Sequence, residues 1–457
     1  MAAVSISTLT EPARSVPLHG EYDVVVLGGG PAGIMAAAAA GRAGARALLI
    51  ERYGFLGGMG TAAGVTNFCG LHANVHGEIR QVVNGLTDEL LERMRRLDGL
   101  NEPHLIFGRI HAQAYDMSAY KCAADDLLAA SGVSVLYHAL GSNLTRHEDG
   151  RLDALFVETR SGRRAVRARV FVDCSGDGDL AHWAGVPMEY GDGRGNALYP
   201  TLMFRLGGVD AARAGDAWRT IPAVMDDAAR QGAFAFPRRG AIVRPQKNPF
   251  EWRVNVTQLK NADGSAVDGT DASELSAAEI EGRRQITSYV AFLRTRVPGF
   301  ERCYVLDIAT QLGIRETRRM VGQYLLTRED ITGCADFDDA IGVNGWPLEM
   351  HVADDVQWIW PPKDSRGYNQ LPYRMLLPPR NGASPGNLLV AGRCASMTHE
   401  GQSAARVSGA CLVMGEAAGN AAAMALARDG AVHEVDPAAL RDKLLRDGVF
   451  LGGRFQR

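Results

Sequence analysis

The sequence predicts an α/β protein in which a Rossmann-like, mostly parallel sheet carries an inserted α+β region. The β-branched run 22–27 leads directly into a glycine-rich stretch at 28–33 and then into an alanine-rich helix that ends near Ala43. This is the order of a buried parallel strand, a tight turn and a helix. Near the other end, the run 387–390 predicts a last buried strand that ends at Gly392. The 457 residues also favour two domains, because single cores stop growing at roughly 250–300 residues.

Composition and charge exclude several classes of function. The 49 basic and 52 acidic residues are mixed along the chain and give a formal net charge of −3, so nucleic acid is not expected as a partner. Seven scattered cysteines without a CxxC pair predict neither a metal site nor a disulfide, which is typical of a cytoplasmic protein. The first twenty residues lack an apolar signal segment, and glycines interrupt the apolar stretch 24–40, so neither export nor a membrane association is expected.

The stretch 28–33 has the spacing G-x-G-x-x-G. In this spacing Gly28 makes the tight turn, Gly30 lets the backbone approach a diphosphate, and Gly33 lets the helix pack closely on the strand. Pro31 and Ala32 begin the helix, whose free N–H groups and positive dipole end face the diphosphate. The pattern predicts a dinucleotide-binding turn.

An acidic residue and a second small-residue stretch follow. Glu51 lies eighteen residues after Gly33, at the end of the predicted strand 45–50, where a carboxylate accepts the ribose hydroxyls of an adenosine. The stretch 52–61 lets backbone lie against a flat ligand, and its predicted cofactor contacts are Arg52, Gly57, Gly58 and Met59. NAD enzymes seldom have such a stretch at this place, so FAD is the predicted cofactor.

Later segments complete the predicted cofactor site. A third strand is expected at 133–137, followed by a small antiparallel meander at 152–158 and 165–168, and then by the strand 170–172. Further contacts to FAD are predicted from residues after the strands and in a helix expected at about 404–427: Ser175, Gly176, Asp177, Gly392, Arg393, Arg406 and Gly409. This arrangement resembles the glutathione-reductase-type FAD domain, in which the late strand and helix reach the ribitol and the flavin.

Three further blocks narrow the resemblance. The block 313–322 reads GIRETRRMVG, the block 371–378 reads LPYRMLLP, and the block 392–400 reads GRCASMTHE, with Arg406 and the stretch GEAAG at 415–419 after them. These blocks resemble the G-x-R-E-x-R-R-x-x-G, I-P-Y-R and G-R-C-x-S-x-x-H-E segments of the FAD-dependent oxidoreductase family that is sometimes labelled xanthan-lyase-like. With the N-terminal turn they span about 22–427. The resemblance implies the fold and the cofactor, and it leaves the substrate open.

The resemblance implies that the loop after the last strand lies near the flavin ring, and His399 falls in that loop. An imidazole there can move a proton while a hydride moves, so His399 is the first catalytic candidate. In the alternative, His399 and Glu400 only orient the loop. Arg406 can offset negative charge at the N1 and O2 edge of a reduced flavin, or it can be structural.

The block 313–322 supplies a second candidate. If it is helical, Arg315 and Arg319 share a face at i,i+4 and repel each other unless an anion lies beside them, while Glu316 pairs with Arg319. Arg315 is therefore predicted either as a clamp on a substrate carboxylate or as part of a charge network between domains.

Tyr373 is the third catalytic candidate. It follows Pro372 in a stretch expected to be extended, and we expect its side chain to line the substrate pocket. Trp346, His351 and Trp360 are expected to be core or pocket-wall residues.

The predicted FAD-binding domain is discontinuous, and its segments are 20–197, 308–330 and 380–430. The predicted substrate domain comprises 198–307 and 331–379, and 431–457 is a C-terminal tail. A capping box formed by Ser276 and Glu279 is expected to begin a helix that ends near Val297. The segments 1–20 and 448–457 are expected to be loosely held.

The predicted function is an FAD-dependent dehydrogenase, oxidase or reductase in which flavin N5 exchanges a hydride with a small polar, possibly carboxylated molecule. One alternative is reduction of an activated C=C bond, as in fumarate-reductase-like relatives, and a remote one is a tRNA-modifying flavoprotein. Oxygen, a quinone or a carrier protein is left open as electron acceptor, as are a homo-oligomer and covalent attachment of FAD near Cys69 or His72.

Overall fold

The computed structural model describes residues 8–382 and 384–453. The strands of this part of the chain are β1 (Leu18–Leu27), β2 (Ala47–Ile50), β3 (Asn67–Phe68), β4 (His72–Val75), β5 (Glu78–Gln81), β6 (His104–Ile106), β7 (Ile110–Ala114), β8 (Ser134–Leu136), β9 (Leu140–Arg146), β10 (Leu152–Thr159), β11 (Gly162–Asp173), β12 (Met188–Glu189), β13 (Phe204–Gly207), β14 (Ile242–Pro245), β15 (Trp252–Asn255), β16 (Tyr304–Ile308), β17 (Arg319–Met320), β18 (Ala340–Asn344), β19 (Leu348–Met350), β20 (Gln357–Ile359), β21 (Asn369–Pro372) and β22 (Leu388–Val390).

The α-helices of the same residues are α1 (Pro31–Arg42), α2 (Met59–Ala62), α3 (Leu86–Arg96), α4 (Met117–Ala130), α5 (Asp179–Trp183), α6 (Ala211–Ala214), α7 (Ala217–Arg230), α8 (Ala272–Arg296), α9 (Arg328–Thr332), α10 (His399–Ala405), α11 (Ser408–Leu426) and α12 (Pro437–Arg446). Two short 3₁₀ helices cover Tyr373–Leu376 and Val432–Glu434.

The largest sheet joins β8, β2, β1, β11, β10 and β9 in this order, and β22 pairs with β11. The pairs of β1 with β2 and β11, of β2 with β8, and of β11 with β22 are parallel. Their apolar side chains are buried on both faces of the sheet, as expected for parallel strands covered on both sides. The predicted α/β, Rossmann-type fold is confirmed.

Strand β11 pairs in two different ways in this sheet. The first half of β11 pairs antiparallel with β10, and its last residues pair in parallel with β22. The prediction of separate strands at 165–168 and 170–172 is wrong. Arg169 is the single residue between them, and it continues the extended backbone.

Helix α11 packs against α1 beneath the sheet at a close approach. A Cβ added to Gly415 or Gly419 would lie 2.1 Å from the carbonyl oxygen of Ala32 or Ala36. By length and composition α11 is long and apolar enough to cross a membrane. However, 83% of its most apolar 18-residue stretch is buried inside the protein, as in a core helix. The single helix expected at 404–427 is instead two helices, α10 and α11, because Val407 is extended.

A second hydrophobic core lies around the four-stranded sheet β14-β15-β13-β16 and the helices α7 and α8. The expected start of α8 was wrong. Asp271 caps the helix, since its side chain accepts hydrogen bonds from the backbone N–H groups of Ser273 and Glu274, both at 2.8 Å. Ser276 lies inside the first turns and donates its hydroxyl to the carbonyl of Ala272.

The remaining segments pack differently from the expected division. Buried residues of 331–379, such as Val343 and Leu371, belong to the same hydrophobic cluster as α1 and α11, and not to the cluster of 198–307. The tail is also packed, because Leu451 is buried and its carbonyl accepts a hydrogen bond of 2.7 Å from Gln370. The expectation of a loosely held end therefore fails for 448–453, and residues 1–7 and 454–457 lie outside the described part of the chain.

Candidate active site

A cavity of about 800 Å³ joins the two cores, and its size is that of a small-molecule or cofactor site. On one side it is lined by the turn after β1, by the ends of β2, β11 and β22, and by the start of α11. On the other side it is lined by residues of α7, β14 and β15 and by the hairpins β6–β7 and β19–β20. Ligands of open α/β sheets bind at such carboxyl ends of strands.

The glycine turn forms one end of the cavity. Gly28 has a φ of +100°, and a Cβ there would lie 2.4 Å from the carbonyl oxygen of Cys174. Gly30 precedes Pro31 as the N-cap of α1, and both line the cavity together with Ala32. Gly33 does not line it. A Cβ there would lie 1.8 Å from the carbonyl oxygen of Gly28, so its role is the close packing of helix on turn.

Glu51 lines the cavity beside this turn and is 6% exposed. Its carboxylate accepts hydrogen bonds from the backbone N–H of Gly29 at 2.6 Å and of Tyr53 at 2.9 Å. These bonds fix the carboxylate at the end of β2. Arg52 also lines the cavity, and its guanidinium donates to the side chain of Gln311.

The second glycine stretch faces the first. A Cβ on Gly58 would lie 2.8 Å from the Cα atom of Gly30, and Gly58 and Met59 line the cavity. Gly57 has a φ of +108° and turns the chain over Thr61 without lining the cavity.

The ends of β11 and β22 meet at an ion pair. Ser175, Gly176, Gly392 and Arg393 line the cavity. Asp177 does not line the cavity. Its carboxylate accepts a hydrogen bond of 2.8 Å from Arg393 and so holds that arginine against the cavity wall. Among the residues predicted from the late helix, Gly409 also lies off the wall. It lets the helix approach the backbone of Gly70, where a Cβ would be 2.2 Å from the carbonyl oxygen.

Arg406 ends α10 and lines the cavity with a buried guanidinium. Its Nε and Nη2 atoms are buried without a hydrogen-bond partner, and its nearest carboxylate, that of Glu349, lies 3.8 Å away. Burial lowers the pKa of Arg406. Because unsatisfied buried donors are costly, we expect the guanidinium of Arg406 to donate hydrogen bonds to an acceptor in the cavity.

Glu349 and His351 form a buried dyad on the cavity wall at the end of β19. The carboxylate of Glu349 lies 3.1 Å from Nε2 of His351 and accepts a hydrogen bond of 3.0 Å from the indole N–H of Trp346. Burial opposes ionisation of Glu349, but the hydrogen bond from His351 and the charge of Arg406 bring its pKa to about 2. Burial, and then the charge of Arg315, lower the pKa of His351 well below its usual value. His351 is therefore neutral and donates Nε2–H to the ionised Glu349.

Arg315 reaches the same wall. Its guanidinium donates to the carbonyl of Tyr199 at 2.5 Å and is buried in the cavity lining. Burial, followed by the charge of Arg406, lowers its pKa well below the usual value. The segment around it is not helical, so the expected shared face with Arg319 is wrong.

A family model described as FAD dependent oxidoreductase matches residues 23–444 of the chain. The chain belongs to this family. FAD is accordingly the cofactor of this FAD-dependent oxidoreductase, and the predicted family and cofactor are confirmed. The comparison with curated proteins found no match.

Several solved structures are similar to the oxidoreductase. A geranylgeranyl bacteriochlorophyll reductase-like protein from Thermoplasma acidophilum is 14% identical with a TM-score of 0.47, and the match covers 94% of this chain and 84% of that one. A myxobacterial chondrochloren halogenase is 12% identical with a TM-score of 0.44, covering 93% and 79%. An anhydrotetracycline hydroxylase from Streptomyces rimosus is 15% identical with a TM-score of 0.41, covering 93% and 65%. None of these likenesses indicates a substrate for this chain.

His399 does not line the cavity of the oxidoreductase. It begins α10 instead of lying in a loop, and its Nδ1 lies 2.9 Å from the carboxylate of Glu316. Glu316 also pairs with the fully buried Arg319, as the sequence predicted. The expected loop position of His399 is therefore wrong, because the N-terminal turn of α10 points its ring into this buried charge cluster. A catalytic role for His399 stays a prediction.

Tyr373 does not line the cavity either. It begins a 3₁₀ helix, is 1% exposed, and donates its hydroxyl to the carbonyl of Val432 at 2.8 Å. Tyr373 therefore anchors the tail segment to the core, which corrects the expected place in the substrate pocket. Trp346 and His351 are wall residues as expected, whereas Trp360 is stacked on Trp358 beyond the wall.

Sequence reasoning missed the partner of His351 and the basic residues of the second sheet. Glu349 and His351 are two residues apart at the end of a short strand, a spacing that places two side chains on one face. That signal is weak, since β19 has only three residues. Arg244 and Arg253 of β14 and β15 line the cavity as well, and no local motif marks them.

Proposed function

We propose that this oxidoreductase exchanges a hydride between flavin N5 and a small, polar, carboxylated substrate. When bound, FAD supplies the group that takes up or gives the hydride. The observation that carries the proposal is the position of Arg315 and the Glu349–His351 dyad on the wall of the cavity that begins at the glycine turn.

The residues at the two ends of the cavity fit the two ends of FAD. We assign the diphosphate to Gly28, Gly30 and the amino end of α1, where free N–H groups and the dipole favour an anion. Glu51 would accept the ribose hydroxyls. The unsatisfied donors of Arg406 would meet the N1 and O2 edge of the flavin, which supports the proposal without depending on a sequence motif.

Arg315 is the proposed clamp on the substrate carboxylate. Its guanidinium has no carboxylate partner among the described residues, and its depressed pKa shows the cost of burying this charge alone. A bidentate carboxylate would compensate that cost with charge-assisted hydrogen bonds. An anionic substrate is therefore expected to bind far better than its neutral ester.

His351 is the proposed proton carrier in place of His399. Its Nε2–H is engaged by Glu349, while Nδ1 has no hydrogen-bond partner within the described residues. A neutral ring held by a carboxylate can accept a proton at the free nitrogen, because the carboxylate stabilises the imidazolium that forms. A substrate carboxylate on Arg315 would help, since it offsets the positive charge that lowers the pKa of His351.

The region 198–307 is the proposed substrate-binding part, inserted into a glutathione-reductase-type FAD domain. Its sheet and α7 contribute side chains to the cavity opposite the glycine turn. Substrate contacts from a region with its own core allow specificity to vary while the cofactor end stays fixed.

The test is an anaerobic screen of the purified, flavin-loaded protein. We expect hydroxy acids or amino acids to bleach the flavin absorbance, and the matched methyl esters of the active compounds to bleach it at least ~10-fold more slowly, the scale of a lost charge-assisted pair. Equal rates for acids and esters would contradict the carboxylate clamp. The reduced protein mixed with enoates tests the alternative, because reoxidation only by activated C=C bonds would favour the reductase.

A further inference from the structure

Two arginines face each other across strands in the cavity. Arg244 of β14 and Arg253 of β15 are direct partners in the antiparallel register, and both line the cavity. Like charges directly opposite one another destabilise a sheet. Their side-by-side arrangement on the cavity face therefore requires compensation from somewhere.

Ion pairs do not supply that compensation. Arg253 is 6% exposed, and although one of its amino groups donates to the carbonyl of Val65 at 2.5 Å, its Nε is buried without a partner. Neither guanidinium forms an ion pair within the described residues. Burial lowers the pKa of both arginines, and the charge of Arg244 lowers the pKa of Arg253 further.

The third arginine of this row shows the contrast. Arg205 of β13 is the cross-strand partner of Arg253 on its other side. Its guanidinium is neutralised by Asp307 at 2.7 Å and by Glu251 at 3.4 Å, and it does not line the cavity. The chain thus provides acids for the arginine of this row that lies outside the cavity lining and none for the two that line the cavity.

The surroundings of the pair are suited to an anion. The ring of Trp218 lies near both Arg244 and Arg219, whose guanidinium carbons are 4.6 and 4.5 Å from its centroid. A cation–π interaction with this ring therefore helps to hold Arg244 in place. His104 lines the same region. Burial, together with the charges of Arg244 and Arg253, lowers its pKa to about 4, so it adds no further positive charge.

We propose that Arg244 and Arg253 form a second oxyanion site, which takes a carboxylate or phosphate of the substrate remote from the reacting carbon. The identification of the bound anion as part of the substrate rests on the proposed function. It narrows the substrate class to dianions such as dicarboxylates or phosphorylated carboxylic acids. Arg315 holds the anionic group next to the dyad, and Arg244 and Arg253 hold the other.

The test measures anion binding to the flavin-loaded protein without turnover. The thermal unfolding midpoint is followed while inorganic phosphate or acetate replaces chloride at constant ionic strength. We expect the midpoint of the wild type to rise with anion concentration, and Arg244→Gln to weaken the apparent affinity at least ~10-fold, as for a lost charge-assisted hydrogen bond. The anion that raises the unfolding midpoint at the lower concentration identifies the group, carboxylate or phosphate, that the site prefers.

Three further variants make the result decisive. Arg205→Gln, from the same row but outside the cavity, is expected to keep the full response. Arg315→Gln is expected to lose only the part of the acetate response that the clamp itself contributes. Arg253→Gln is expected to lose it, and Arg244→Gln decides the question if Arg253→Gln does not fold. Without added oxyanion, Arg244→Gln should unfold at the wild-type temperature or above it, because the repulsion is relieved.

An Arg244→Gln protein that responds to both anions like the wild type would overturn the second site. The proposed function fails separately, when no acid bleaches the flavin although the anion response is intact.

Discussion

The buried carboxyl of Glu416 gives a prediction whose size follows from the structure. Glu416 lies on α11, is 2% exposed, and accepts the backbone N–H of Leu86 at the start of α3, while its Oε1 has no partner. Burial is the main reason that its pKa rises from 4.5 to about 8. The folded protein therefore holds this group protonated at neutral pH, whereas the unfolded chain ionises it.

The sign of the effect follows from this difference. Below pH 4.5 both states are protonated, and between pH 4.5 and about 8 the unfolded state gains stability as it loses the proton. At pH 7 the loss corresponds to about 3 kcal/mol at 1.36 kcal/mol per pKa unit. Glu416→Gln imitates the protonated form, keeps an acceptor for Leu86 and cannot ionise. We expect it to raise the free energy of unfolding at pH 7 by up to about 3 kcal/mol.

Urea unfolding of the flavin-loaded protein at several pH values between 5 and 8.5 measures this effect. The expected result is a gain for Glu416→Gln that grows with pH and levels off near pH 8. Glu434→Gln, a change at a more exposed glutamate, is the control and should stay within ~0.5 kcal/mol of the wild type. A Glu416→Gln protein with the same stability and the same pH slope as the wild type would refute the reasoning.

Two other predictions concern the ends of the cavity. Gly33→Ala puts a methyl group 1.8 Å from the carbonyl oxygen of Gly28, so we expect this variant to bind FAD more weakly and to lose at least ~1–3 kcal/mol of stability. Fluorescence titration with FAD measures the loss of binding. The control Gly386→Ala, whose methyl group would lie in open space, should behave like the wild type. The second prediction concerns the pH dependence of the oxidation of a carboxylic acid substrate. Because the pKa of His351 is depressed, kcat/KM should stay constant as the pH falls to 6.5 and decline only below that value. A decline that begins above pH 6.5 would argue against His351 as the base.

The parts of the site that the sequence predicts well depend on local chemistry. The turn from Gly28 to Gly33 is recognisable because a positive φ and a close helix approach exclude side chains at fixed spacings. Glu51 follows from the same pattern, since strand length fixes where the second strand ends.

The parts that the sequence predicts poorly depend on contacts between distant segments. Arg315 and His351 come close only because the irregular segment 314–318 and the end of β19 reach the same cavity. His399 was a reasonable candidate by its place after the last strand. The short helix α10 begins at this residue and directs it to Glu316, and a motif does not reveal to which side a side chain turns.

The comparison of His351→Gln with His399→Gln tests the central claim most directly. Each variant is loaded with FAD, checked for its unfolding midpoint, and mixed anaerobically with a carboxylated substrate found in the screen, while the rate of flavin bleaching is followed. We expect His351→Gln to slow bleaching by at least ~100-fold, the scale of general acid–base catalysis, and His399→Gln to stay within a few-fold of the wild type. The opposite ranking in folded, FAD-loaded proteins would contradict the assignment of proton transfer to the Glu349–His351 dyad.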